Sequence, residues 1–284
     1  NGSATAPYLT IAKALTIANA SATVSNPYIV SVGPGIFEED NSSAPLAITA
    51  SGIALRGGGK TITIVQPQTS SNNLFNISGT GLVENIQVRN VTAATAFNCS
   101  GSSNQTQFRH AFTENCLIGF DFAIGANAFY KCIDCVVQDI VTSGIGLRYT
   151  SCKGILSGCQ ITGDSSFSAD SGTGVSVLGS IALVEILSTE IGWAVEAVVS
   201  DTSSRLKVTG SIFDHCTTGV LCKGGSEGII VGSAFGRVSG INISAEGANT
   251  QIYSDSCNIT GKTSGGTAAG VGYKSTTGAT IDAT

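Results

Sequence analysis

The chain has 284 residues, of which 42% are hydrophobic and only 12% are charged, a balance that excludes a solvated disordered chain. A formal net charge of -5 and the scatter of the lysines and arginines argue against a nucleic-acid groove or an anionic membrane surface. No apolar run approaches the roughly 18 residues of a membrane-spanning helix. Because the sequence lacks methionine and begins at Asn1, we expect a segment of a longer or processed chain.

The first predicted element is a short helix in residues 7–20. Ile11, Leu15 and Ala18 recur at i, i+4 and i+7 with alanine and lysine between them, which is a helical period. Such a helix would cover the open end of a sheet, an edge that otherwise invites aggregation. We therefore assign residues 1–26 to an N-terminal segment with a capping helix.

A repeat follows this helix, and its signature is glycine, an apolar residue, any residue and a second apolar residue. Successive signatures lie about 20 to 30 residues apart, except for one double interval that contains residues 193–195. Glycine is expected there because a corner needs either positive φ or close approach of two backbones. The signatures lie at 119–122, 144–147, 174–177, 219–222, 240–243 and 270–273.

A second set of short segments precedes these signatures, and each alternates apolar with polar residues. These predicted strands lie at 112–118, 132–137, 155–161, 186–191, 208–213, 230–235 and 252–259. Two or three short strands per repeat, without a helical pattern, are typical of a β-solenoid. The sequence therefore predicts an all-β, single-stranded right-handed parallel β-helix of about ten coils over 27–277. Residues 278–284 are assigned to a C-terminal tail or a link to missing sequence.

Residues 7–15, 28–32 and 34–39 resemble the opening of many pectin-lyase-like parallel β-helix proteins. In that superfamily a helix is followed by a strand and a Pro-Gly-x-aromatic-x-Glu turn. Residues 53–64 are similar to the next coil of those proteins. The resemblance implies the fold but no single activity, since the same opening occurs in esterases, lyases, hydrolases and non-catalytic spikes.

Asp121 is the one catalytic candidate that the resemblance supplies. Residues 119–125, Gly-Phe-Asp-Phe-Ala-Ile-Gly, resemble the strand that holds the nucleophilic aspartate of pectinesterases. Those enzymes also need an upstream Gln-Asp pair and an arginine in a Gly-Arg-Pro-Trp context. Neither motif is present, and 236–238 only approaches the second one. We therefore expect Asp121 at a solvent-facing strand position, with a catalytic role as the alternative.

Other acidic residues give no clear set for glycoside hydrolysis, which needs two carboxylates about 5 to 10 Å apart. Asp201, Asp214 and Asp255 lie about one or two coils apart, near His215 and Arg205, so an acidic column is one interpretation. A scattered solvated face is the interpretation that we favour.

Metal binding is also not predicted. Cys132 and Cys135 have a zinc-like spacing, but no second such pair follows, and residues i and i+3 of a strand face opposite ways. His110 and His215 are interpreted as surface or corner residues. We therefore predict no metal and no cofactor.

The cysteines are interpreted as part of the core. Four of them are predicted to form one inward column, with Glu190, Ile212 and Ala234 in the intervening coils. Neighbours in such a column would be about 4.8 Å apart, which permits a disulfide without requiring one. Unpaired buried thiols would indicate assembly in a reducing compartment. The four are Cys116, Cys135, Cys159 and Cys257.

Asn-x-Ser/Thr sequons favour a secreted or surface protein, although a chain so rich in Ser and Thr contains many by chance. The possible glycosylation sites are Asn41, Asn76, Asn90, Asn104, Asn242 and Asn258.

Together these features predict a non-catalytic structural or adhesive β-helix domain, such as a virion spike, fibre or other surface protein. Its location would be a virion or extracellular surface, and its partners other virion or surface proteins, a host glycan, or copies of itself in a trimer. The first alternative is a carbohydrate-active enzyme, pectinesterase-like or a depolymerase, acting on acidic polysaccharide. The second is a glycan-binding module, which the 6% aromatic content disfavours. Nucleic acid and membrane are not expected partners.

Overall fold

The computed structural model describes residues 8–123, 125–166, 170–260 and 271–284. Within these ranges the predicted helix is confirmed as α1, Ile11–Ser21, which is not long and apolar enough to cross a bilayer. Ile11 and Leu15 are buried on its inner face. The buried carboxylate of Glu39 accepts a hydrogen bond of 2.8 Å from the Ile11 amide, which stabilises the positive end of the helix.

Three parallel sheets run along the molecule, and the strands are numbered here in chain order. Sheet A consists of β1 (Tyr28–Val32), β4 (Ile53–Gly57), β7 (Gly81–Glu84), β10 (Gln107–Arg109), β12 (Phe129–Ile133), β14 (Lys153–Ser157), β17 (Leu183–Leu187), β20 (Arg205–Thr209), β23 (Glu227–Val231), β26 (Gln251–Asp255) and β29 (Thr280–Ala283).

Sheet B is made of shorter strands that follow those of sheet A. They are β2 (Gly35–Glu39), β5 (Thr63–Pro67), β8 (Gln87–Arg89), β15 (Gln160–Thr162), β18 (Glu190–Gly192), β21 (Ile212–Asp214), β24 (Ala234–Gly236) and β27 (Asn258–Ile259). Two long strands, β11 (Phe112–Phe122) and β13 (Val136–Thr150), begin in sheet B and end in the third sheet.

Sheet C completes each coil. Its other strands are β3 (Leu46–Ile48), β6 (Phe75–Ile77), β9 (Thr95–Cys99), β16 (Thr173–Leu178), β19 (Glu196–Asp201), β22 (Thr218–Lys223), β25 (Ile241–Glu246) and β28 (Val271–Thr276). Every strand pairs in parallel with strands of the neighbouring coils. The predicted parallel β-solenoid of about ten coils is therefore confirmed.

From β7 onward, the corner between sheets A and B contains one residue with positive φ, and most of these residues are glycine, asparagine, aspartate or serine. Such residues adopt the left-handed conformation at least cost. The segments predicted as single strands, such as 132–137 and 186–191, are therefore split in two, because the corner interrupts their alternation. The corner residues are Asn85, His110, Asp134, Gly158, Ser188, Gly210, Gly232 and Ser256.

The interior is filled by columns of apolar side chains from successive coils. Phe75, Phe97 and Phe120 stack in sheet C with ring centroids 5.2 Å apart at each step. The ring of Phe108, from sheet A, meets Phe97 edge-on at 5.3 Å. Sheets A and C therefore pack their inner faces together, and their outer faces point away from each other.

The glycine of the repeat signature is explained by close backbone approach. A Cβ atom at Gly219 would lie 2.4 Å from the carbonyl oxygen of Asn242, and one at Gly146 would lie 2.6 Å from that of Gly174. Neither Gly219 nor Gly146 has positive φ. Of the two explanations offered by the sequence, close approach is therefore the one that applies at these positions.

One predicted boundary is wrong. The predicted tail, 278–284, contains β29, whose Ile281 pairs with Ile252 and extends sheet A; a composition poor in large apolar residues concealed this strand. Within the double interval of the glycine signature, Trp193 forms a corner with φ of 54° and β19 begins at Glu196. The last signature glycine, Gly270, lies outside the described residues.

Candidate functional site

Polar side chains occupy one outward-facing position on successive strands of sheet C. The strands are in register, so these side chains form a continuous row at the strand spacing of about 4.8 Å. Val199 and Leu221 continue the same column with apolar side chains. We call the polar part the polar row; it consists of Asn76 on β6, Asn98 on β9, Asp121 on β11, Arg148 on β13 and Ser176 on β16.

An ion pair between Asp121 and Arg148 lies at the centre of the polar row. Arg148 Nε donates to Asp121 Oδ1 at 2.9 Å, and Nη2 donates to Oδ2 at 2.6 Å. Only 10% of the Asp121 side chain and 32% of the Arg148 side chain are exposed. Hydrogen bonding to Asp121 raises the pKa of Arg148. This bidentate contact holds both groups in a fixed geometry.

The expected solvent-facing position of Asp121 is therefore only half correct. The side chain points outward, but Arg148 from the next coil covers it, and the residue is 7% exposed. The chain lacks the Gly-Arg-Pro-Trp motif, but Arg148 contacts the Asp121 carboxylate from the next coil. The only sequence signal for this contact is a separation of 27 residues, which is one coil.

The asparagines at one end of the polar row are linked by their amides. Asn98 Nδ2 donates to Asn76 Oδ1 at 2.9 Å, and Asn73 Nδ2 donates to the same oxygen at 3.3 Å. Amides oriented by such bonds can both donate to and accept from sugar hydroxyl groups. Together with the Asp121 carboxylate, they offer a surface for a polyhydroxylated ligand.

A second polar cluster lies at the corner between sheets B and C. The rings of Trp193 and His215 stack at 4.1 Å with an interplanar angle of 11°. His215 Nδ1 is 3.1 Å from Asp214 Oδ2, and Arg237 Nε donates to Asp214 Oδ1 at 2.9 Å. All three large corner residues have φ near 50°, a conformation that costs about 1–2 kcal/mol outside glycine. Their mutual contacts offset this cost.

The acidic column considered for Asp201, Asp214 and Asp255 is not formed. Asp201 lies in sheet C, where Lys223 approaches it to 3.8 Å, whereas Asp214 lies in sheet B and Asp255 ends a strand of sheet A. The separation of the three sheets places each carboxylate on its own face. Both histidines lie at corners, the location that the sequence indicated, since His110 has φ of 48° and His215 of 51°.

The predicted cysteine column contains only three of its four members. Cys135, Cys159 and Cys257 each follow the corner between sheets A and B, whereas Cys116 pairs with Ile140 farther along β11. The intervening positions are one residue earlier than predicted, because the corner sets the register. They are Thr189, Ser211 and Ser233 rather than Glu190, Ile212 and Ala234.

Cys132 and Cys135 both point inward, contrary to the alternation of a straight strand. The corner at Asp134 interrupts the alternation between them. All cysteines of the chain are free thiols, and among the described residues no group of three or more His, Cys, Asp or Glu side chains is placed to hold a metal ion.

These thiols should react very unequally. Burial raises the pKa of Cys116, Cys152, Cys216 and Cys222 to about 12, so few thiolates form at pH 8. We expect an aromatic disulfide reagent to modify only the partly exposed Cys257 quickly in the folded protein, and all nine thiols after unfolding in guanidinium. The variant Cys257→Ser should lose the fast phase. Several fast thiols, or fewer than nine after unfolding, would contradict this expectation.

Three of the predicted glycosylation sites are wrong for the folded protein, because Asn41, Asn104 and Asn242 are buried. Asn41 Nδ2 donates to the carbonyl oxygen of Thr69 at 2.8 Å, and Asn104 Nδ2 to that of Ile77 at 3.0 Å, so a glycan has no space. Asn90 and Asn258 are exposed, and Asn76 is half-buried in the polar row; these three stay predictions.

No protein-family model matches the chain, and no curated protein matches it in sequence. Solved structures do match. The catalytic domain of a GH87 alpha-1,3-glucanase has a TM-score of 0.64 at 12% identity, covering 88% of this chain and 51% of that one. The A-module of the Azotobacter vinelandii mannuronan C-5 epimerase AlgE6 has a TM-score of 0.61 at 12% identity, covering 96% and 90%. ORF18 of Geobacillus virus E2 has a TM-score of 0.55 at 14% identity, covering 89% and 58%.

The chain therefore spans about half the length of the glucanase domain that it resembles. Identities of 12 to 14% are evidence for shared architecture rather than shared chemistry. With the sheet register described above, they show that the chain has a parallel β-helix fold, common to polysaccharide-acting domains and to a viral protein.

Proposed function

We propose that this chain is a carbohydrate-active domain that acts on an esterified acidic polysaccharide along the polar row, with Asp121 as its reactive carboxylate. The observation on which this rests is the bidentate contact from Arg148, which holds the Asp121 carboxylate in one orientation in a mostly buried position. An oriented carboxylate is what nucleophilic attack on an ester requires.

The reaction would have two steps. Attack of an Asp121 oxygen on the ester carbonyl carbon would form an acyl-aspartate and release the alcohol, whose oxygen takes its proton from water. Hydrolysis of the acyl-aspartate would then return the free carboxylate of Asp121 and the acid product. Asn98, adjacent to Asp121 in the polar row, would orient the sugar. The likeness of residues 119–125 to the pectinesterase strand supports this choice of reaction. The glucanase and epimerase domains among the similar structures favour a polysaccharide as the class of substrate.

Turnover on a panel of polysaccharides tests the proposed function. Pectins and acetylated or methylated uronans would be incubated with the wild type, following methanol, acetate, reducing ends and unsaturated products. We expect alcohol or acetate release by the wild type and a loss of about 10²- to 10⁴-fold in Asp121→Asn. The matched control is Glu227→Gln, which breaks the exposed ion pair with Arg205 on the opposite sheet. Equal rates in wild type and Asp121→Asn, or no product from any substrate, would overturn the assignment.

A non-catalytic virion fibre or spike is the second candidate function. It is favoured by the engagement of both Asp121 oxygens with Arg148, which resembles the structural ion pairs that join other coils, and by the viral protein among the similar structures. On this alternative, the domain would lie on a virion or extracellular surface, contact other surface proteins or a host glycan, and assemble as a trimer. No product from any polysaccharide of the panel, together with a trimeric mass in sedimentation equilibrium, would favour this second function.

A further inference from the structure

Three basic residues form a diagonal line on the outer face of sheet A. They lie on consecutive strands, with Arg109 on β10, Lys131 on β12 and Lys153 on β14. Lys131 pairs with Gln107 and Lys153 pairs with Phe129, so each step along the line moves one strand and two residues. Diagonal neighbours of this kind are about 7–8 Å apart. We call these three residues the cationic stripe.

The cationic stripe differs from the other basic residues in its lack of ion pairs. None of its members contacts a carboxylate within the part of the chain that the structure describes, whereas most other described lysines and arginines do. The paired ones are Arg56, Arg148, Arg205, Lys207, Lys223, Arg237 and Lys274.

Acidic groups beside the stripe have other partners; Glu185, diagonal to Lys153 on β17, lies 3.7 Å from Lys207 Nζ. Glu84 is the register partner of Arg109, but Arg56 from the preceding coil pairs with its carboxylate. Asp134 lies beyond the end of β12, where its carboxylate is 3.5 Å from His110 Nε2. The stripe is therefore a local excess of positive charge on a chain whose net charge is -5.

The charges of the stripe are presented on a rigid surface. Arg109 and Lys153 are exposed, and Lys131 is half-exposed with its Nζ 5.2 Å from the centroid of the Phe129 ring. That cation–π contact restrains the lysine beside a half-buried ring. All three residues lie on paired strands, so the spacing of their backbones is set before a ligand binds.

We propose that the cationic stripe is a binding site for a linear polyanionic glycan whose chain bears carboxylate or sulfate groups. The three cations lie in a line and can therefore contact successive anions of an extended polymer. The Phe129 ring offers an apolar contact for a sugar face. The stripe lies on sheet A, whereas the polar row lies on the outward face of sheet C, which points the other way. This second site is thus independent of chemistry at Asp121.

Duplex DNA is a poorer match for the same surface. Specific and nonspecific DNA binders typically neutralise about 6–10 phosphates, far more than three cations can contact. The acidic character of the rest of the chain would repel a long duplex.

Binding to immobilised polyanions tests the stripe. Heparin would present sulfates and polygalacturonate would present carboxylates, with duplex DNA as a third surface. We expect the wild type to bind one or both glycans, with affinity falling as salt rises, and the variant Arg109→Gln/Lys131→Gln/Lys153→Gln to bind at least about tenfold more weakly. Comparing the two glycans identifies the anion that the site prefers.

A charge-matched variant provides the control. Arg205→Gln/Lys223→Gln/Lys274→Gln removes three ion-paired cations whose carboxylate partners lie away from the stripe, and it changes the net charge equally. It should keep wild-type binding, and both triple variants should keep the wild-type melting temperature to within a few degrees. Equal loss in the two variants, no glycan binding by the wild type, or tighter binding to DNA would overturn the proposal. Loss of turnover in Asp121→Asn with intact glycan binding would separate the two sites.

Discussion

Replacing Phe120 by alanine is expected to lower the free energy of unfolding by about 3–5 kcal/mol. The ring is fully buried, stacks on Phe97 at 5.2 Å and meets Phe108 edge-on at 5.1 Å. In a solenoid each coil is stabilised mainly by its neighbours, so the cavity would weaken the contacts on both sides of this coil. Urea denaturation followed by circular dichroism measures the loss.

The control for this prediction is Ile212→Ala on the outer face of sheet B, where the side chain is 49% exposed. A surface truncation of this kind should change the free energy of unfolding by no more than about 0.5 kcal/mol. A similar small change for Phe120→Ala would show that the aromatic column does not stabilise the fold.

Removing Arg148 is expected to cost about 3 kcal/mol, because alanine leaves the Asp121 carboxylate nearly buried without its partner. Protonation of a carboxyl group removes the cost of burying its charge without a partner, and this cost returns as the group ionises at higher pH. Relative to the wild type, Arg148→Ala should therefore become less destabilised as the pH is lowered from 7 toward 4.

The double variant Asp121→Asn/Arg148→Ala isolates the cause of that cost. It removes the buried charge, so it should be more stable than Arg148→Ala at pH 7 and lose the extra pH dependence. Equal stability of the single and double variants across this pH range would mean that solvent already compensates the charge of Asp121.

The fold could be predicted because its signals are local. The spacing of Ile11, Leu15 and Ala18 defines α1 within three turns, and the glycine signature marks strands of sheet C at Gly174 and Gly219. The helix signal depends on packing within one element. The glycine signature depends on the close approach of two coils, so it recurs along the solenoid.

The resemblance supplied Asp121 as a candidate, but its contact with Arg148 could not be predicted, because that contact depends on the register between coils. Asp121 and Arg148 are 27 residues apart, whereas Asp214 and Arg237 are only 23 apart, since the corner loops differ in length. A motif search along the chain cannot detect a partner at a variable distance. The same difficulty misplaced Cys116, which follows a later bend of β11 than the corner before Cys135.

The cationic stripe also could not be predicted from the sequence. Arg109, Lys131 and Lys153 are scattered when counted along the chain, which is why the sequence indicated no basic cluster. Pairing of β10, β12 and β14 places them on one face, and only the contacts show which other cations are neutralised.

The proposed function requires that polysaccharide binds and reacts at the polar row. A crystal structure of Asp121→Asn, soaked with an oligosaccharide of the polymer that the wild type turns over, would reveal where the sugar lies. We expect a sugar ester over position 121, with sugar hydroxyls within about 3.2 Å of Asn98 and Arg148. A saccharide bound elsewhere on the solenoid, with the polar row empty, would contradict it.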